Sequence, residues 1–181
     1  YYTEDTNVLN TEIENTYFKL EIKQTDFVSM KNSVLVKRYI FKNNNVIDLN
    51  VNFLIHSKLL SNPNNMVGSK IENNVLLQYS HNNTMCMFSK KEINSHQLND
   101  TDNNIGSGVI HDKDYIGMSS DSSINYEVGV LKPGETRELD IYMYFIENEK
   151  VSKEEMWKNI EEIRKQDASK EQSSVERYWK K

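Results

Sequence analysis

Side chains able to perform acid–base chemistry are spread thinly along this sequence. Paired carboxylates hydrolyse glycosidic bonds, and three aspartates lie close together in the sequence: Asp112, Asp114 and Asp121. These aspartates lack the regular oxygen ligands of an EF-hand calcium loop, and His111 and Lys113 offset part of their charge. The segment is therefore predicted to be a solvated loop and not an acid site.

The sequence also contains no motif for metal binding or for a catalytic nucleophile. The histidines are far apart and show no metal-ligand spacing: His56, His81, His96 and His111. The single cysteine, Cys86, excludes an intrachain disulfide and any zinc site built from several cysteines. Because its neighbours are Met85 and Met87, it is predicted to be a buried structural thiol. No phosphate loop, dinucleotide fingerprint or nucleophile elbow is present. We therefore predict no catalytic, cofactor or metal site in this chain.

Length and charge limit the class of protein. The chain has 181 residues, enough for one domain with a real core, and a net charge of −5. An acidic balance disfavours nucleic-acid partners and anionic membranes, and apolar runs such as Ile141–Ile146 are too short to cross a bilayer. The opening residues have neither a signal peptide's basic region nor its apolar region. Because no initiator methionine is present either, we expect a processing or cloning boundary at Tyr1. A cytoplasmic location is favoured, with secretion left open.

The first two-thirds of the chain alternates apolar and polar residues with the period of a β-strand. Residues 33–41 are apolar on both faces, which predicts a strand covered on both sides. Residues 46–57 alternate again after the asparagines at 43–45. We predict that these two segments pair as an antiparallel hairpin.

Shorter strands are predicted at 75–79 and 84–89, followed by a polar loop from 90 to 105. The pattern resumes at 122–130, and Pro133-Gly134 marks a tight turn before a last strand at 136–146. We predict that these two long strands form a second hairpin about that turn.

The character of the sequence changes after Glu147. Ser152 and Glu155 form a capping box before apolar residues at helical spacing, and a second helix is predicted from 171 to 179. Glu154, Glu155, Glu161 and Glu162 are predicted to lie on the solvated face of the first helix. The sequence thus predicts a mainly β domain over 1–147, with two antiparallel sheets, and a helical linker over 148–181.

Several short motifs, in the same order, resemble the N-terminal domain of bacterial and archaeal family-15 glycoside hydrolases, the glucoamylases and their relatives. Asp26–Val28 followed by Val34–Tyr39 is similar to that domain's "DFV … lvRRy" stretch. Leu131–Glu135 resembles its "L-x-P-G-E" strand, and Ser152–Glu155 its "S-x-E-E" helix. Tyr178-Trp179 looks like the aromatic pair that leads into the catalytic barrel. The motifs span most of the chain.

The resemblance implies a supersandwich of two large antiparallel sheets, then linker helices and an (α/α)6 barrel. In that family two barrel glutamates hydrolyse terminal α-linked glucose, and no catalytic residue can be assigned here. The family's sandwich usually begins some tens of residues before the position matching Tyr1, so its first strands are expected to be missing or divergent. The expected function is to brace the barrel. Alternatives are a carbohydrate-binding module that takes oligosaccharide, or the sandwich of a glycoside phosphorylase or a mutarotase-like protein.

The resemblance also gives the helical linker a role. Its apolar side chains are expected to pack between the sandwich and the barrel of the same polypeptide: Trp157, Ile160, Ile163, Val175, Tyr178 and Trp179. Without the barrel, that surface is expected to cover the sandwich, fray, or form a homodimer with a second copy, for which an exposed sheet edge is the other candidate surface.

Overall fold

A computed structural model describes residues 1–59 and 67–180. In the described part, the strands and helices follow in this order: β1 (Leu9–Asn15), β2 (Leu20–Val28), β3 (Leu35–Asn43), β4 (Leu49–Lys58), β5 (Gly68–Glu72), β6 (Val75–Tyr79), β7 (Asn83–Phe88), β8 (Ser95–Leu98), α1 (Asp102–Ile105), β9 (Asp121–Leu131), β10 (Thr136–Glu147), α2 (Lys153–Arg164) and α3 (Ala168–Trp179). None of these helices is both long and apolar enough to cross a membrane.

The strands form two sheets. One has the order β1-β2-β3-β10-β7-β6-β5, and the other has the order β4-β9-β8. The strand pairs whose register is defined run antiparallel, and a parallel bridge joins Gln97 of β8 to Lys113. The prediction of a mainly β fold with antiparallel sheets and C-terminal helices is confirmed. Residues 60–66 of the predicted strand region lie outside the described part.

Two compact units can be distinguished within the chain. The first contains residues 1–51, 128–144 and 160–181, and the second contains 52–127 and 145–159.

In the first unit, β3 is covered on both faces, as predicted. Val36 lies opposite Phe27 of β2 and Tyr142 of β10, and all three are buried. Arg38 follows Val36 on the same face and reaches Gln172 of α3, so α3 packs on this side. On the other face Tyr39 and Phe41 are stacked and buried, with ring centroids 6.3 Å apart.

Both predicted hairpins about the long strands are wrong. β3 and β4 belong to different sheets, and so do β9 and β10. The predicted turn at 132–135 does exist, with the Glu135 N–H donating to the Lys132 carbonyl and Gly134 at a φ of 78°. The turns between β3 and β4 and between β9 and β10 both reverse the chain. Each one connects a strand of one sheet to a strand of the other sheet, so the two strands are not hydrogen-bonded neighbours.

The buried side chain of Asn43 ties these two crossings together in the first unit. Its amide donates to the carbonyls of Ile47 and Leu131, at 2.8 and 2.9 Å. Its Oδ1 accepts from the Asn45 N–H, while its backbone N–H donates to the Glu135 carbonyl. The side chain thus satisfies backbone groups of both crossings that would otherwise lack partners.

We expect Asn43→Ala to lower the free energy of unfolding by about 3 kcal/mol, because it leaves the buried Leu131 carbonyl and the partly buried Ile47 carbonyl without their donor. Urea denaturation measures the change. The matched control is Asn44→Ala, whose exposed side chain donates to Glu21 and which should change stability by less than about 0.5 kcal/mol. Equal losses in the two variants would contradict this role for Asn43.

A second buried amide joins the two sheets within the second unit. Gln78 of β6 accepts a 2.7 Å hydrogen bond from the Ser57 hydroxyl of β4. Its Nε2 donates to the carbonyls of Ser57 and Ser120. The short strands predicted at 75–79 and 84–89 are confirmed as β6 and β7, which pair antiparallel. Cys86 of β7 is buried, as predicted, and burial raises the pKa of its thiol to about 12.

The start of α2 is as predicted, whereas α3 begins at Ala168, three residues before the predicted start at 171. The Ser152 hydroxyl accepts from the Glu155 N–H at the start of α2, and the Asp167 carboxylate accepts from the N–H groups of Ser169 and Lys170 at the start of α3. Asp167 thus sets the start of α3, because it caps that helix.

Candidate functional site

The second unit contains a polar cavity of about 600 Å3. It is lined by residues from the end of β4, the start of β9 and the segment between β8 and β9, including Lys58, Asn99, Asp102, Lys113, Ser120 and Asp121. Polar groups that converge on a concave surface are the usual form of a ligand site.

A cluster of charged groups forms one wall of this cavity. The His56 Nε2 lies 2.8 Å from Asp121 Oδ1 and 3.4 Å from Asp102 Oδ1. Lys58, two residues along β4, donates to Asp102 Oδ2 at 2.6 Å. This lysine is on the surface, and its pKa is raised by its hydrogen bond and charge interaction with Asp102.

Asp121 is the most buried member of the cluster. Burial by itself would raise the pKa of its carboxyl, but hydrogen bonds outweigh that effect and lower it. The Thr101 N–H donates at 2.8 Å, and the Thr101 hydroxyl and His56 also bond the carboxylate. The ionised aspartate therefore fixes the start of β9 to β4 and to the residue before α1.

His56, Asp102 and Asp121 each offer one ligand atom, all within 4.8 Å of one another. A divalent cation could use such a set. However, the Lys58 ammonium already neutralises Asp102, and Thr101 and His56 already donate to Asp121. We therefore interpret the cluster as an ion-pair network that shapes the cavity wall.

Asp121→Asn should lower stability by about 1–2 kcal/mol at pH 7, since hydrogen bonds to a charged group are stronger than those to a neutral one. Because the folded state lowers the pKa of Asp121, its contribution is fully present above the unfolded pKa of about 4 and is lost as the pH falls through the folded value. The difference between wild type and variant should thus vanish in strong acid.

Urea titrations across pH measure this difference, with Asp114→Asn as the control. Asp114 bonds His96 but its side chain is 80% exposed, so its substitution should have little effect at any pH. A loss in Asp121→Asn that is the same at neutral and acid pH would contradict the prediction.

The buried side chain of Gln97 fixes the loop at Asn99 and Asp100, beside the cavity, through hydrogen bonds. Its Nε2 donates to the carbonyls of Asn99 and Asp100, and its Oε1 accepts from the His111 N–H. Asn99 and Asp100 have φ of 67° and 56°, a left-handed conformation that asparagine and aspartate tolerate better than most residues. Gln97 thus fixes a backbone shape that presents both residues towards the cavity.

The lining also includes polar side chains that the described chain leaves unused. Within residues 1–59 and 67–180, no hydrogen bond or ion pair engages the Asn99 amide, the Lys113 ammonium or the Ser120 hydroxyl. These are donors and acceptors that a ligand could engage.

The sequence singled out Asp112, Asp114 and Asp121 together, and the structure separates them. Asp112 and Asp114 lie on the exposed loop and bond the ring of His96. Asp121 begins β9 and is largely buried, so its assignment to the solvated loop is corrected. The partner of Asp121, His56, lies 65 residues away in the sequence, and no local spacing could have indicated this pair.

The residues predicted to pack between domains differ in exposure. Ile160, Ile163 and Val175 are each at most 1% exposed, whereas Tyr178 and Trp179 are about half exposed. The exposed pair forms an edge-to-face contact with ring centroids 5.6 Å apart. Trp157 is partly exposed.

A smaller cavity of about 330 Å3 lies where α2 meets the strands of the second unit. Its floor is apolar, formed by Leu77, Ile146 and Met156, with Tyr79 at its side. Lys153 of α2 pairs with Glu72 of β5 at 2.8 Å and fixes the helix above the sheet.

No protein-family model matches the sequence, and no curated protein matches it. Among solved structures, a bacterial glucoamylase complexed with acarbose aligns with 98% of this chain, at a TM-score of 0.64 and 12% identity. A putative kojibiose phosphorylase from the human microbiome aligns with 97%, at a TM-score of 0.56 and 15% identity. This chain shares their fold. It spans 27% of the glucoamylase and 21% of the phosphorylase.

Proposed function

We propose that this chain is the non-catalytic β-sandwich domain of a glucoamylase-like glycoside hydrolase, in which it braces an (α/α)6 barrel. The barrel, not this chain, would hydrolyse terminal α-linked glucose. Support comes from the structural likeness, which extends over nearly the whole chain and covers only a fraction of a larger glucoamylase.

The observation on which this proposal chiefly rests is how the C-terminal helices are held. Glu171 of α3 is buried, and its carboxylate accepts from the Ser29 hydroxyl at 3.0 Å and the Lys31 ammonium at 2.8 Å. Arg38 donates to Gln172 one residue further on. A helix fixed in this way is a rigid base for whatever its end contacts.

The exposed pair Tyr178 and Trp179 lies at that end. Large aromatic side chains that are half exposed at the end of a rigid helix are typical of a docking surface. Under this proposal they pack against the barrel, together with Trp157, while Ile160, Ile163 and Val175 fix the helices to the sandwich.

A glycoside phosphorylase is the second candidate for the parent enzyme, because a putative kojibiose phosphorylase has the same fold. The two candidates differ in the acceptor of the glycosyl group, which is water in a hydrolase and phosphate in a phosphorylase. For either parent enzyme, this chain would perform the same bracing role.

The first test assays the purified chain on maltose, kojibiose and trehalose, with and without phosphate. We expect neither glucose nor glucose 1-phosphate to form. The coding sequence after Lys181 is then read for a helical barrel with two catalytic glutamates. Turnover by the pure chain, or a continuation that encodes no such barrel, would contradict the proposal.

The bracing itself is tested in the parent enzyme with the double substitution Tyr178→Ala/Trp179→Ala. We expect the barrel to melt at a lower temperature, while the isolated chain melts as before because both side chains are half exposed in it. Tyr17→Ala is the matched control, since that ring is 84% exposed elsewhere in the first unit. If the double variant and the control melt alike in the parent enzyme, these aromatics do not contact the barrel.

A further inference from the structure

The smaller cavity, where α2 meets the strands of the second unit, combines an apolar floor with a basic rim. Its floor residues, Leu77, Ile146 and Met156, are each at most 7% exposed. Among the described residues that line it, those with a charge are Lys70 and Lys153. A mostly apolar concave surface with a few polar groups is the usual form of a small-molecule site.

The strand register places the rim and the floor on one face of the larger sheet. Lys70 of β5 is paired with Leu77 of β6, and directly opposite residues of an antiparallel pair point to the same face. Tyr79 and Glu72 point to that face too, because each lies two residues along its strand from one of this pair. Lys153 bonds Glu72, which brings the start of α2 over the same face.

One carboxylate holds both ammonium groups beside the cavity. Glu72 accepts from the Lys153 Nζ at 2.8 Å and from the Lys70 Nζ at 2.6 Å. These two bonds lower the pKa of its carboxyl, so Glu72 is ionised at neutral pH. The Lys70 Nζ also lies 6.0 Å from the centre of the Tyr79 ring, which lines the cavity. Because two cations share one anion, the group carries one positive charge that it does not itself balance.

The neutral polar groups of the lining are mostly bonded within the chain. The Thr84 hydroxyl donates to the Asn148 Oδ1 at 2.8 Å, and the Asn148 amide donates to the Ser80 carbonyl at 3.0 Å. Within the described part of the chain, the Tyr79 hydroxyl makes no hydrogen bond. The groups left for a ligand are therefore the two ammonium groups, this hydroxyl and the apolar floor.

We propose that this cavity binds a small molecule with an apolar body and one carboxylate, with the body on the buried floor and the carboxylate bonded by Lys70 and Lys153. One negative charge balances the charge that Glu72 leaves over. Each ammonium has three N–H donors and gives one to Glu72, so donors remain for the ligand. The volume of about 330 Å3 is at the lower end of ligand cavities, which suits a short acyl chain or a single ring.

The test is a titration of the chain, isotope-labelled at its methyl groups, with octanoate at low millimolar concentration. We expect NMR shift changes concentrated at the lining methyl groups of Leu77, Ile146, Val151 and Met156. 1-Octanol keeps the chain without the charge, and acetate keeps the charge without the chain. Each should bind at least about fivefold more weakly than octanoate. Unchanged shifts at these methyl groups, or equal affinities for octanoate and 1-octanol, would overturn the proposal.

Two substitutions at the rim test the role of the charge. Lys70→Met and Lys153→Met each keep an apolar stem but remove one ammonium. Each should weaken octanoate binding about fivefold and leave 1-octanol binding unchanged. Lys158→Met is the matched control, because this lysine is exposed on the same helix and does not line the cavity. If the rim variants bind octanoate as tightly as the control does, the two lysines do not recognise the carboxylate and the proposal is wrong.

A larger side chain on the floor tests the position of the ligand. Met156→Phe should weaken the binding of octanoate and of 1-octanol alike, because it fills the space that both chains would occupy. Val151→Phe, at a partly exposed position of the same lining, is the second variant in case the first does not fold. The methyl spectrum shows whether each variant is folded, and undiminished octanoate binding by a folded variant would exclude this cavity.

This proposal and the bracing role can fail separately. The lining of the cavity belongs to the second unit, whereas Tyr178 and Trp179 belong to the first. Loss of octanoate binding in the rim variants therefore leaves the expected results of the bracing experiments as they are.

Discussion

Deleting residues 151–181 is expected to leave a chain that does not fold stably. Ile160, Ile163 and Val175 are fully buried, and each contributes about 2 kcal/mol through burial alone. Their sum is comparable with the whole stability of a small domain, which is about 5–15 kcal/mol. The deletion also exposes the face of the first unit formed by Phe27, Val36 and Tyr142. We expect aggregation, or loss of the cooperative melting transition.

Circular dichroism, calorimetry and light scattering measure these effects, and a shorter deletion provides the control. Removing residues 178–181 takes away the half-exposed Tyr178 and Trp179 but none of the buried helix residues. It should leave melting unchanged and should reduce any self-association that the exposed aromatics cause. If the long deletion leaves solubility, oligomeric state and melting unchanged, the helices are an inert linker and our interpretation of them is wrong.

The positions of most strands and both long helices follow from local sequence. An alternating pattern identifies which residues face a core, and it locates β3, β4, β9 and β10 to within a few residues. The helices begin directly after Ser152 and Asp167, because the side chains of these capping residues bond N–H groups only two or three residues away. Information that acts over so few residues is present in the sequence itself.

Strand pairing does not follow in the same way. The turns at 43–48 and 132–135 reverse the chain, and from local sequence each reversal predicts a hairpin. A reversal is equally compatible with two strands that lie in facing sheets, and the alternation is the same in both cases. What distinguishes them is the Asn43 side chain, which bonds the Leu131 carbonyl 88 residues away.

The strands β1 and β8 are not predicted from the sequence, because what stabilises them is also not visible in local composition. β1 has the sequence Leu-Asn-Thr-Glu-Ile-Glu-Asn, and most of it is exposed at the edge of its sheet, so no buried face imposes an apolar pattern. β8 has four residues and lies in the segment predicted to be a polar loop. Its pairing with β9 and the side-chain contacts of Gln97 stabilise it, and neither is visible in local composition.

The candidate site was the least predictable part of the molecule. Its charged wall joins His56 to Asp121, and its loop depends on Gln97, which looks like an ordinary polar residue in the sequence. Contacts between residues that are distant in sequence create the site, so no motif of fixed spacing describes it.

Arg38→Ala should lower the free energy of unfolding by about 4 kcal/mol, a larger loss than that expected for Asn43→Ala. The guanidinium is nearly buried and donates three hydrogen bonds of 3.0 Å, to Asp140, Glu138 and Gln172. Removing it leaves the carboxylate of Asp140, which is only 19% exposed, without that partner. Arg38→Lys should lose somewhat less, because an ammonium keeps the charge but cannot reproduce the planar fork of the guanidinium.

The control for Arg38 is Lys150→Ala, which breaks a salt bridge to Glu147 between two exposed side chains and should cost less than about 0.5 kcal/mol. A double-mutant cycle of Arg38→Ala with Gln172→Ala then isolates the link between the central strand and α3. If that link helps to fix the helix, the two substitutions should be non-additive by about 1 kcal/mol. Additive losses would mean that Arg38 stabilises the sheet alone, and that burial of Val175 and the Glu171 contacts hold α3 without it.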